Sequence, residues 1–157
     1  MAAQRQNVSS DLVWQLTRNQ NAFLVKRNSG GGSQFSRDPL NLQNKHSFKY
    51  AGYANTKAVG VQPTENGGVV VITKKSGNSQ QPGKNAVRVT FGPKASSRKI
   101  YKGVADKTAK NGYRADLRED AVARVSAIRR SQKPKKDTPP QKPRGAQARK
   151  AVEQESA

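Results

Sequence analysis

The side chains that most often do chemistry in proteins are scarce in this sequence. It holds no cysteine and one histidine, His46. These counts exclude disulfides, thiolate zinc sites, cysteine nucleophiles and any metal site that needs two histidines. His46 itself fits either a solvated loop or a contact to a base or a phosphate. We therefore expect neither a metal nor a cofactor.

One acidic cluster is a candidate for acid–base catalysis, and it consists of Asp116, Glu119 and Asp120. Such chemistry needs carboxylates held in a water-poor pocket with shifted pKa values. The cluster instead falls where a helix is predicted to begin, and the helix dipole favours negative charge there. Asp116 also stands close to Arg114 and Arg118, so a local ion pair accounts for it. We predict helix capping for the cluster and no enzymatic activity.

Residues 77–85 have a distant likeness to a phosphate-cradling loop, because Lys84 follows a glycine near the end of the segment. Five residues separate the two glycines where such a loop has four, and Pro82 lacks an amide donor. Asn85 stands where a magnesium-binding Ser or Thr is required. We predict a plain polar loop and no nucleotide hydrolysis.

Aromatic and basic residues interleave in one stretch, which combines rings for base stacking with cations for phosphate neutralisation. The rings are Phe48, Tyr50 and Tyr53, and the cations are Lys45, Lys49 and Lys57. The competing interpretation is that Phe48 and Tyr50 form the buried face of a strand. We favour burial for Phe48 and leave both interpretations open for Tyr53.

Distributed positive charge is the strongest signal in the sequence. The 157 residues include 30 Lys or Arg against 10 Asp or Glu, for a formal net charge of +20 at pH 7. An excess of this size repels itself strongly without counter-charge, so a polyanion is the expected partner. The charge count alone does not distinguish RNA from DNA.

The apolar residues delimit one domain. Leu, Ile, Val and Phe total 27, and 26 of these lie between Val8 and Ile128. Such a small fraction with high charge allows one modest core at most. We predict a domain over residues 1–131 and a basic, proline-rich, disordered tail over residues 132–157. The sequence has no apolar run near 18 residues and no signal-peptide core, so we expect an intracellular protein without a membrane span.

Local patterns predict an α+β fold with an N-terminal helix, a small and mostly antiparallel sheet, and two C-terminal amphipathic helices. Hydroxyl caps at Ser9 and Ser10 favour a short helix that ends near Asn19. Strands are predicted at residues 22–26, 47–50, 59–62, 69–72 and 87–91, with a flexible loop at residues 28–33 and a turn at residues 63–68. Short connections imply a sheet of four or five strands.

The spacing of apolar residues changes to a helical period after Pro93. Ile100 and Val104 recur at i, i+4, and the cations on the opposite face are Lys94, Arg98 and Lys102. A break is predicted at Asn111 and Gly112. The next helix has an apolar stripe at Leu117, Ala121, Val125 and Ile128, and the arginines largely off this stripe are Arg118, Arg124, Arg129 and Arg130.

Seven strings along the chain carry a family resemblance. They are AFLVKRN at residues 22–28, DPLNL at 38–42, SFKYAG at 47–52, VGVQP at 59–63, GVVVITKK at 68–75, YRADLR at 113–118 and RVSAIRRSQKP at 124–134. In order and spacing they resemble the eukaryote-specific large-subunit ribosomal protein family L-twenty-eight-e, over about residues 10–134. The glycine-rich loop at residues 30–33 and the tail past Pro134 are less similar to the family.

The resemblance implies a non-enzymatic α+β domain in the surface of the large ribosomal subunit, in contact with ribosomal RNA and neighbouring proteins. It also implies nucleolar assembly followed by cytoplasmic residence, and residues 131–136 could serve nuclear import. By position it implies RNA contacts at Lys26, Arg27, Lys49, Arg114, Arg118, Arg129, Arg130 and Lys133. We add as predicted RNA contacts Lys45, Tyr53, Lys57, Lys74, Lys75, Arg98, Lys102, Lys135 and Lys136.

Three other classes of protein stay open. A ribosome assembly factor that shares this domain would bind the same RNA transiently and should carry extra, often acidic, segments. A chromatin architectural protein should have a longer tail dominated by Lys and Ala. An RNA-modifying enzyme needs a cofactor loop or a catalytic constellation, and the sequence contains neither. For the ribosomal interpretation we expect recognition by RNA shape and phosphate contacts, with little base code.

Overall fold

A computed structural model describes residues 8–75, 84–135, 137, 144–146 and 148. Its helices are α1 (Ser10–Thr17), α2 (Ser97–Ala109) and α3 (Arg118–Ser131). Its strands are β1 (Leu24–Arg27), β2 (Ser33–Ser36), β3 (Val59–Thr64), β4 (Gly68–Lys74) and β5 (Ala86–Phe91). The predicted α+β class is confirmed. Most of the predicted disordered tail and most of the predicted polar loop lie outside the described residues.

An antiparallel sheet in the order β3-β4-β5 forms one side of the hydrophobic core. Strand alternation brings four valines to the same face, and all of them are fully buried: Val59, Val61, Val69 and Val71. Helices α2 and α3 pack on this face with Ile100, Val104, Leu117, Ala121 and Val125. The predicted stripe of the last helix is therefore confirmed, and its end, Ile128, packs at the edge of the core.

The opposite face of β3 is also covered, which simple strand alternation did not predict. Gly60 faces the segment at Pro39 and Leu40, and a Cβ atom on Gly60 would lie 2.5 Å from the Pro39 carbonyl oxygen. A buried carboxylate shapes this segment, since Asp38 accepts hydrogen bonds from the backbone N–H groups of Leu40 (2.9 Å) and Tyr53 (3.0 Å). Glycine at position 60 allows the chain to approach the sheet this closely.

Helix α1 lies against an aromatic cluster formed by Trp14, Phe23, His46, Phe48 and Tyr53. The Ser9 hydroxyl accepts the backbone N–H of Leu12 at 3.1 Å and caps the helix, as predicted. The centroid of the Trp14 ring lies 4.9 Å from that of His46, 6.0 Å from Phe48 and 6.4 Å from Tyr53. Aromatic packing thus connects α1 to the loops that precede β3.

The five strands described here form two sheets, so the prediction of a single sheet is wrong. Strands β1 and β2 pair with each other as a separate antiparallel hairpin. Residues 28–33, predicted as a flexible loop, contain a short 3-10 helix (Asn28–Gly30) and the first residue of β2. Gly31 and Gly32 both have positive φ, which glycine adopts without strain, and they complete the turn.

Residues 47–50 are not a strand, so that prediction is also wrong. Phe48–Tyr50 form a short 3-10 helix. The Asn55 side chain closes this turn, because its Nδ2 donates to the carbonyl oxygens of Phe48 (2.7 Å) and Ala51 (2.9 Å). Local side-chain hydrogen bonds of this kind compete with strand pairing.

The C-terminal helices begin and end close to their predicted positions. Ser96 caps α2, so Lys94 precedes the helix and does not extend its cationic face. Asn111 and Gly112 both have a φ of 61° and form the predicted break between the helices. Within the described residues, no helix combines the length and apolar character needed to cross a membrane.

Candidate nucleic-acid interface

Most of the predicted RNA contacts are exposed cations with no ion pair or side-chain hydrogen bond among the described residues. They are Lys26, Arg27, Lys45, Lys75, Arg98, Lys102, Arg118, Arg130, Lys133 and Lys135. They lie on the hairpin, in the loop after β2, after β4, on α2, on α3 and just past the end of α3. Lys136 lies outside the described residues. This set of unpaired cations is the candidate nucleic-acid interface.

Lys74 differs from these residues because its ammonium group is directed at the backbone. Its Nζ donates to the carbonyl oxygens of Asn55 (2.8 Å), Gly52 (3.1 Å) and Tyr53 (3.4 Å). Burial lowers the pKa of Lys74, and the nearby Asp38 carboxylate opposes this effect. These contacts connect β4 to the segment before β3. A contact between Lys74 and RNA stays a prediction.

Arg114 also has a structural role in the fold. Its Nε and Nη2 donate to the two carboxylate oxygens of Asp116 at 2.9 and 2.8 Å. Nη2 also donates to the Lys49 carbonyl oxygen, and Nη1 donates to the Lys57 carbonyl oxygen, each at 2.9 Å. The Arg114 side chain is 16% exposed. The hydrogen bonds from Arg114 hold the pKa of Asp116 below its usual value. The local ion pair expected for Asp116 is therefore present, and RNA binding by Arg114 stays a prediction.

Three further residues that were predicted to contact RNA interact with the rest of the protein more weakly than Lys74 and Arg114 do. Arg129 is partly buried, and its Nη2 donates to the Pro93 carbonyl oxygen at 3.3 Å. The Lys49 ammonium lies 5.4 Å from the centroid of the Tyr50 ring, and the Lys57 ammonium lies 5.9 Å from that of Tyr113. The two lysines are exposed, and their contacts with RNA stay predictions.

The aromatic-basic stretch does not present its rings as one open surface. Tyr53 is half-buried between the rings of Trp14 and Phe23, and its hydroxyl oxygen lies 3.4 Å from both Thr17 Oγ1 and Asn21 Nδ2. His46 stacks on Trp14, and its Nε2 lies 2.7 Å from the Arg18 carbonyl oxygen. These contacts favour structural roles for the rings, and they leave the nearby lysines as the groups able to reach a phosphate.

Arg124 is a structural residue whose role sequence reasoning missed. Its Nε donates to the Val61 carbonyl oxygen at 2.9 Å, and its Nη1 donates to the Leu42 carbonyl oxygen at 2.9 Å and to Asn44 Oδ1 at 3.3 Å. Burial lowers the pKa of Arg124 below its usual value. The sequence signal was its place on α3 beside the buried Ala121 and Val125. Arg124 joins α3 to β3 and to the loop after β2.

The acidic cluster contributes hydrogen bonds to the fold. Asp120 accepts the Tyr50 hydroxyl at 3.0 Å and the Gln43 side-chain amide at 2.5 Å, while Glu119 lies in the first turn of α3. Burial, and then the Asp120 carboxylate, raise the pKa of Tyr50. Glu119 and Asp120 both lie in the first turn of α3, where the helix dipole favours negative charge as predicted, and the N-cap residue Leu117 forms no side-chain cap. Among the described residues, no group of His, Cys, Asp and Glu has an arrangement that could hold a metal.

A cleft of about 420 Å³ lies at the C-terminal end of α2. Its lining residues are Lys57, Thr73, Asp106, Lys107, Lys110, Asn111 and Tyr113. Lysines outnumber the single carboxylate, so the cleft is cationic. Lys107 and Lys110 also lie where the helix dipole favours positive charge, which accounts for them without a ligand.

A small α+β core with many unpaired surface cations is typical of proteins that bind polyanions. Comparison with known proteins identifies the family. Residues 12–131 match the Ribosomal L28e protein family. The chain belongs to this family, as the sequence resemblance implied. The matched region ends at Ser131, which is also the last residue of α3.

Three relatives of this chain share the name large ribosomal subunit protein eL28. The Schizosaccharomyces pombe protein is 49% identical over 131 residues, which cover 83% of this chain and 97% of the relative. The Dictyostelium discoideum protein is 35% identical over 130 residues, 80% of this chain and 93% of the relative. The Caenorhabditis elegans protein is 37% identical over 127 residues, 80% of this chain and 91% of the relative.

Proposed function

We propose that this protein is a structural constituent of the large ribosomal subunit and binds ribosomal RNA through many Lys and Arg contacts to phosphates. The observation that carries the proposal is family membership over residues 12–131, together with relatives named as large-subunit proteins. The net charge of +20 and the exposed, unpaired cations support a polyanion as the partner, and family membership favours ribosomal RNA as that polyanion.

The basic residues divide into two groups in this proposal. Arg114, Arg124 and Lys74 donate to backbone carbonyl oxygens of distant segments and stabilise the fold. The exposed cations stay available for phosphate oxygens, which arginine binds in a bidentate manner and lysine as a point charge. The protein thus contributes a fixed array of positive charges, and folded RNA contributes the complementary array of phosphates.

The proposal also covers location and partners. We place the protein on cytoplasmic ribosomes after nucleolar assembly, next to neighbouring ribosomal proteins. The domain of residues 1–131 provides the folded contact surface, and residues 132–157 provide a basic extension that becomes ordered on RNA.

Sucrose-gradient sedimentation of cell lysate tests the proposal. The protein should follow large subunits, monosomes and polysomes at near one copy each. Recovery confined to pre-ribosomal particles would instead identify an assembly factor, and recovery with chromatin would identify an architectural protein. Either result would overturn the proposal.

A matched pair of variants tests the role of the exposed arginines. Arg118→Glu with Arg130→Glu reverses two charges that have no partner among the described residues, and it should reduce RNA binding and incorporation into subunits while the fold stays intact. The control is Arg118→Lys with Arg130→Lys, which keeps both charges and should bind nearly as the wild type does. Equal binding by the two double variants would contradict a role for these cations.

A further inference from the structure

Phe35 is an exposed aromatic residue at the centre of the β1-β2 hairpin. It is 45% exposed, whereas the other phenylalanines, Phe23, Phe48 and Phe91, are each partly buried against neighbouring rings or the core. A large exposed ring loses the stabilisation that burial would give it. The fold of the domain does not account for its position on this surface.

Three cations lie close to Phe35 in the strand register or along the chain. Lys45 lies directly opposite Phe35 through an isolated antiparallel bridge, and Val25 lies opposite on β1. Arg27 shares the face of Val25, because alternate residues of a strand point to the same side, and Arg37 follows Phe35 by two residues. Within the part of the chain that the structure describes, Arg27, Arg37 and Lys45 have no ion pair and no side-chain hydrogen bond.

Asp38, the carboxylate beside Arg37 in the sequence, forms no ion pair with these cations in the described structure. Asp38 is 5% exposed, and both of its carboxylate oxygens accept backbone N–H groups, from Leu40 and Tyr53. The surface around Phe35 therefore has an open ring and three unpaired positive charges.

The core of the domain fixes the position of this surface. Asn44 has a φ of 55°, a left-handed conformation that turns the chain so that Lys45 reaches Phe35. The Asn44 carbonyl oxygen accepts the Ser36 N–H at 2.8 Å, and the buried Asn41 donates from its Nδ2 to the Lys45 carbonyl oxygen at 2.8 Å. Arg124 adds its hydrogen bond to Asn44 Oδ1. A surface held in this way binds a ligand without first having to become ordered.

We propose that Phe35 is a stacking platform for an unpaired RNA base, whose flanking phosphates bind Arg27, Arg37 and Lys45. The inference rests on the proposed function, since it assumes that the protein binds RNA. Proteins bind single-stranded nucleic acids with this combination of an open aromatic ring and unpaired cations. Stacking on a ring is possible for every base, so such a site binds without sequence preference. An apolar protein partner would leave the three cations unneutralised, so charge complementarity favours RNA.

Binding of the full-length protein to a short single-stranded RNA and to a fully paired RNA duplex tests the proposal. Phe35→Ala should weaken binding to the single strand by about 5- to 150-fold, the effect of losing one stacked base, and should leave duplex binding unchanged. Phe35→Leu keeps an apolar side chain without the ring and should behave like Phe35→Ala. Phe35→Trp should retain wild-type binding.

The control variant is Leu16→Ala, which removes an exposed apolar side chain on α1 and should change neither affinity. Circular dichroism of each variant establishes that the fold is intact. Photocrosslinking of a 5-iodouridine RNA followed by peptide mapping should label Phe35 in the wild type.

Each contrary result has a distinct meaning. If the wild type binds neither RNA, the proposed function fails together with this inference. If the wild type binds both RNAs and Phe35→Ala weakens them equally or not at all, the stacking platform alone is overturned. Unchanged RNA binding with reduced entry into ribosomal subunits would make Phe35 a protein contact instead.

Discussion

Arg124 shows how one side chain can join three separate parts of a chain. Its guanidinium reaches carbonyl oxygens of Val61 on β3 and Leu42 in the preceding loop, as well as the Asn44 side chain. A hydrogen bond that involves a charged group contributes about 1.5–3 kcal/mol to the free energy of unfolding. Arg124 is therefore a stabilising residue in a surface otherwise rich in unpaired arginine.

Replacing Arg124 with alanine should lower the free energy of unfolding by about 1.5–3 kcal/mol, because the carbonyl oxygens of Val61 and Leu42 lose their donor. Urea denaturation monitored by circular dichroism measures the change. Arg118→Ala is the matched control, since Arg118 is exposed and without a partner in the described structure, and it should change stability by no more than about 0.5 kcal/mol. Equal costs for the two variants would contradict the assignment.

The ion pair of Asp116 with Arg114 predicts a pH dependence of stability. Hydrogen bonds from Arg114 lower the pKa of Asp116 below its usual 3.8. A carboxyl group with a lowered pKa stabilises the folded state above its usual pKa, and this contribution is lost as the pH falls through the lowered value. The Asp116 side chain is 45% exposed, so solvent screening keeps the contribution small.

Asp116→Asn should therefore cost about 0.2–1 kcal/mol of stability near pH 7. The difference from the wild type should shrink as the pH falls below 3.8, where the wild-type carboxyl also becomes neutral. Thermal unfolding across a pH series measures this difference. A gap that stays constant down to the most acidic pH would show that the charge of Asp116 does not contribute.

The packing of β3 places a strict limit on one of its residues. Gly60 has helices on one side of its strand and the Pro39–Leu40 backbone on the other. Gly60→Ala should destabilise the domain by about 1–3 kcal/mol, because the new methyl group would overlap the Pro39 carbonyl oxygen. The control is Gly92→Ala, where a Cβ atom meets nothing within 4 Å. Chemical denaturation of both variants distinguishes them, and a neutral Gly60→Ala would mean that the loop moves away freely.

The C-terminal helices were predictable because the stripe from Leu117 to Ile128 extends over enough residues to be specific. Strands β3 and β4 were predictable because an Asn-Gly turn at residues 66–67 lies between them. The alternation at Phe48 and Tyr50 has no such turn beside it, and Asn55 stabilises a 3-10 turn there instead. The strands form two sheets because of packing between distant segments. The short connections in the sequence, from which a single sheet was predicted, carry no information about that packing.

The candidate interface was predictable as a total charge but not as a set of free side chains. Lys74 and Lys75 are adjacent and chemically identical, yet Lys74 donates to carbonyl oxygens some 20 positions earlier while Lys75 is exposed. Phe35 lacks a distinguishing pattern in the sequence, because its exposure depends on the hairpin and on the turn at Asn44. Contacts between distant segments determine which cations are free, and no local spacing encodes them.

The net charge of +20 predicts a strong effect of salt on RNA binding by the full chain. The logarithm of the binding constant should fall linearly with the logarithm of salt concentration, with a slope of about −0.7 to −0.9 for each phosphate contact. Filter binding over a salt series measures the slope. Arg118→Glu with Arg130→Glu should make the slope shallower by about 2, because each lost phosphate contact removes about 1. A wild-type slope shallower than about −2 would mean that the cations are mostly solvated.

The three carbonyl oxygens around Lys74 also affect how its amine reacts. Burial lowers the pKa of Lys74, which makes more of the amine neutral and nucleophilic, but the surrounding backbone restricts access of a reagent to Nζ. Brief acylation of the folded protein with an amine-directed ester should therefore label Lys75 well before Lys74. Once the fold opens, the two neighbouring lysines should react at similar rates. The ratio of the two labels, read by mass spectrometry, would report whether this domain is folded before it binds its partner.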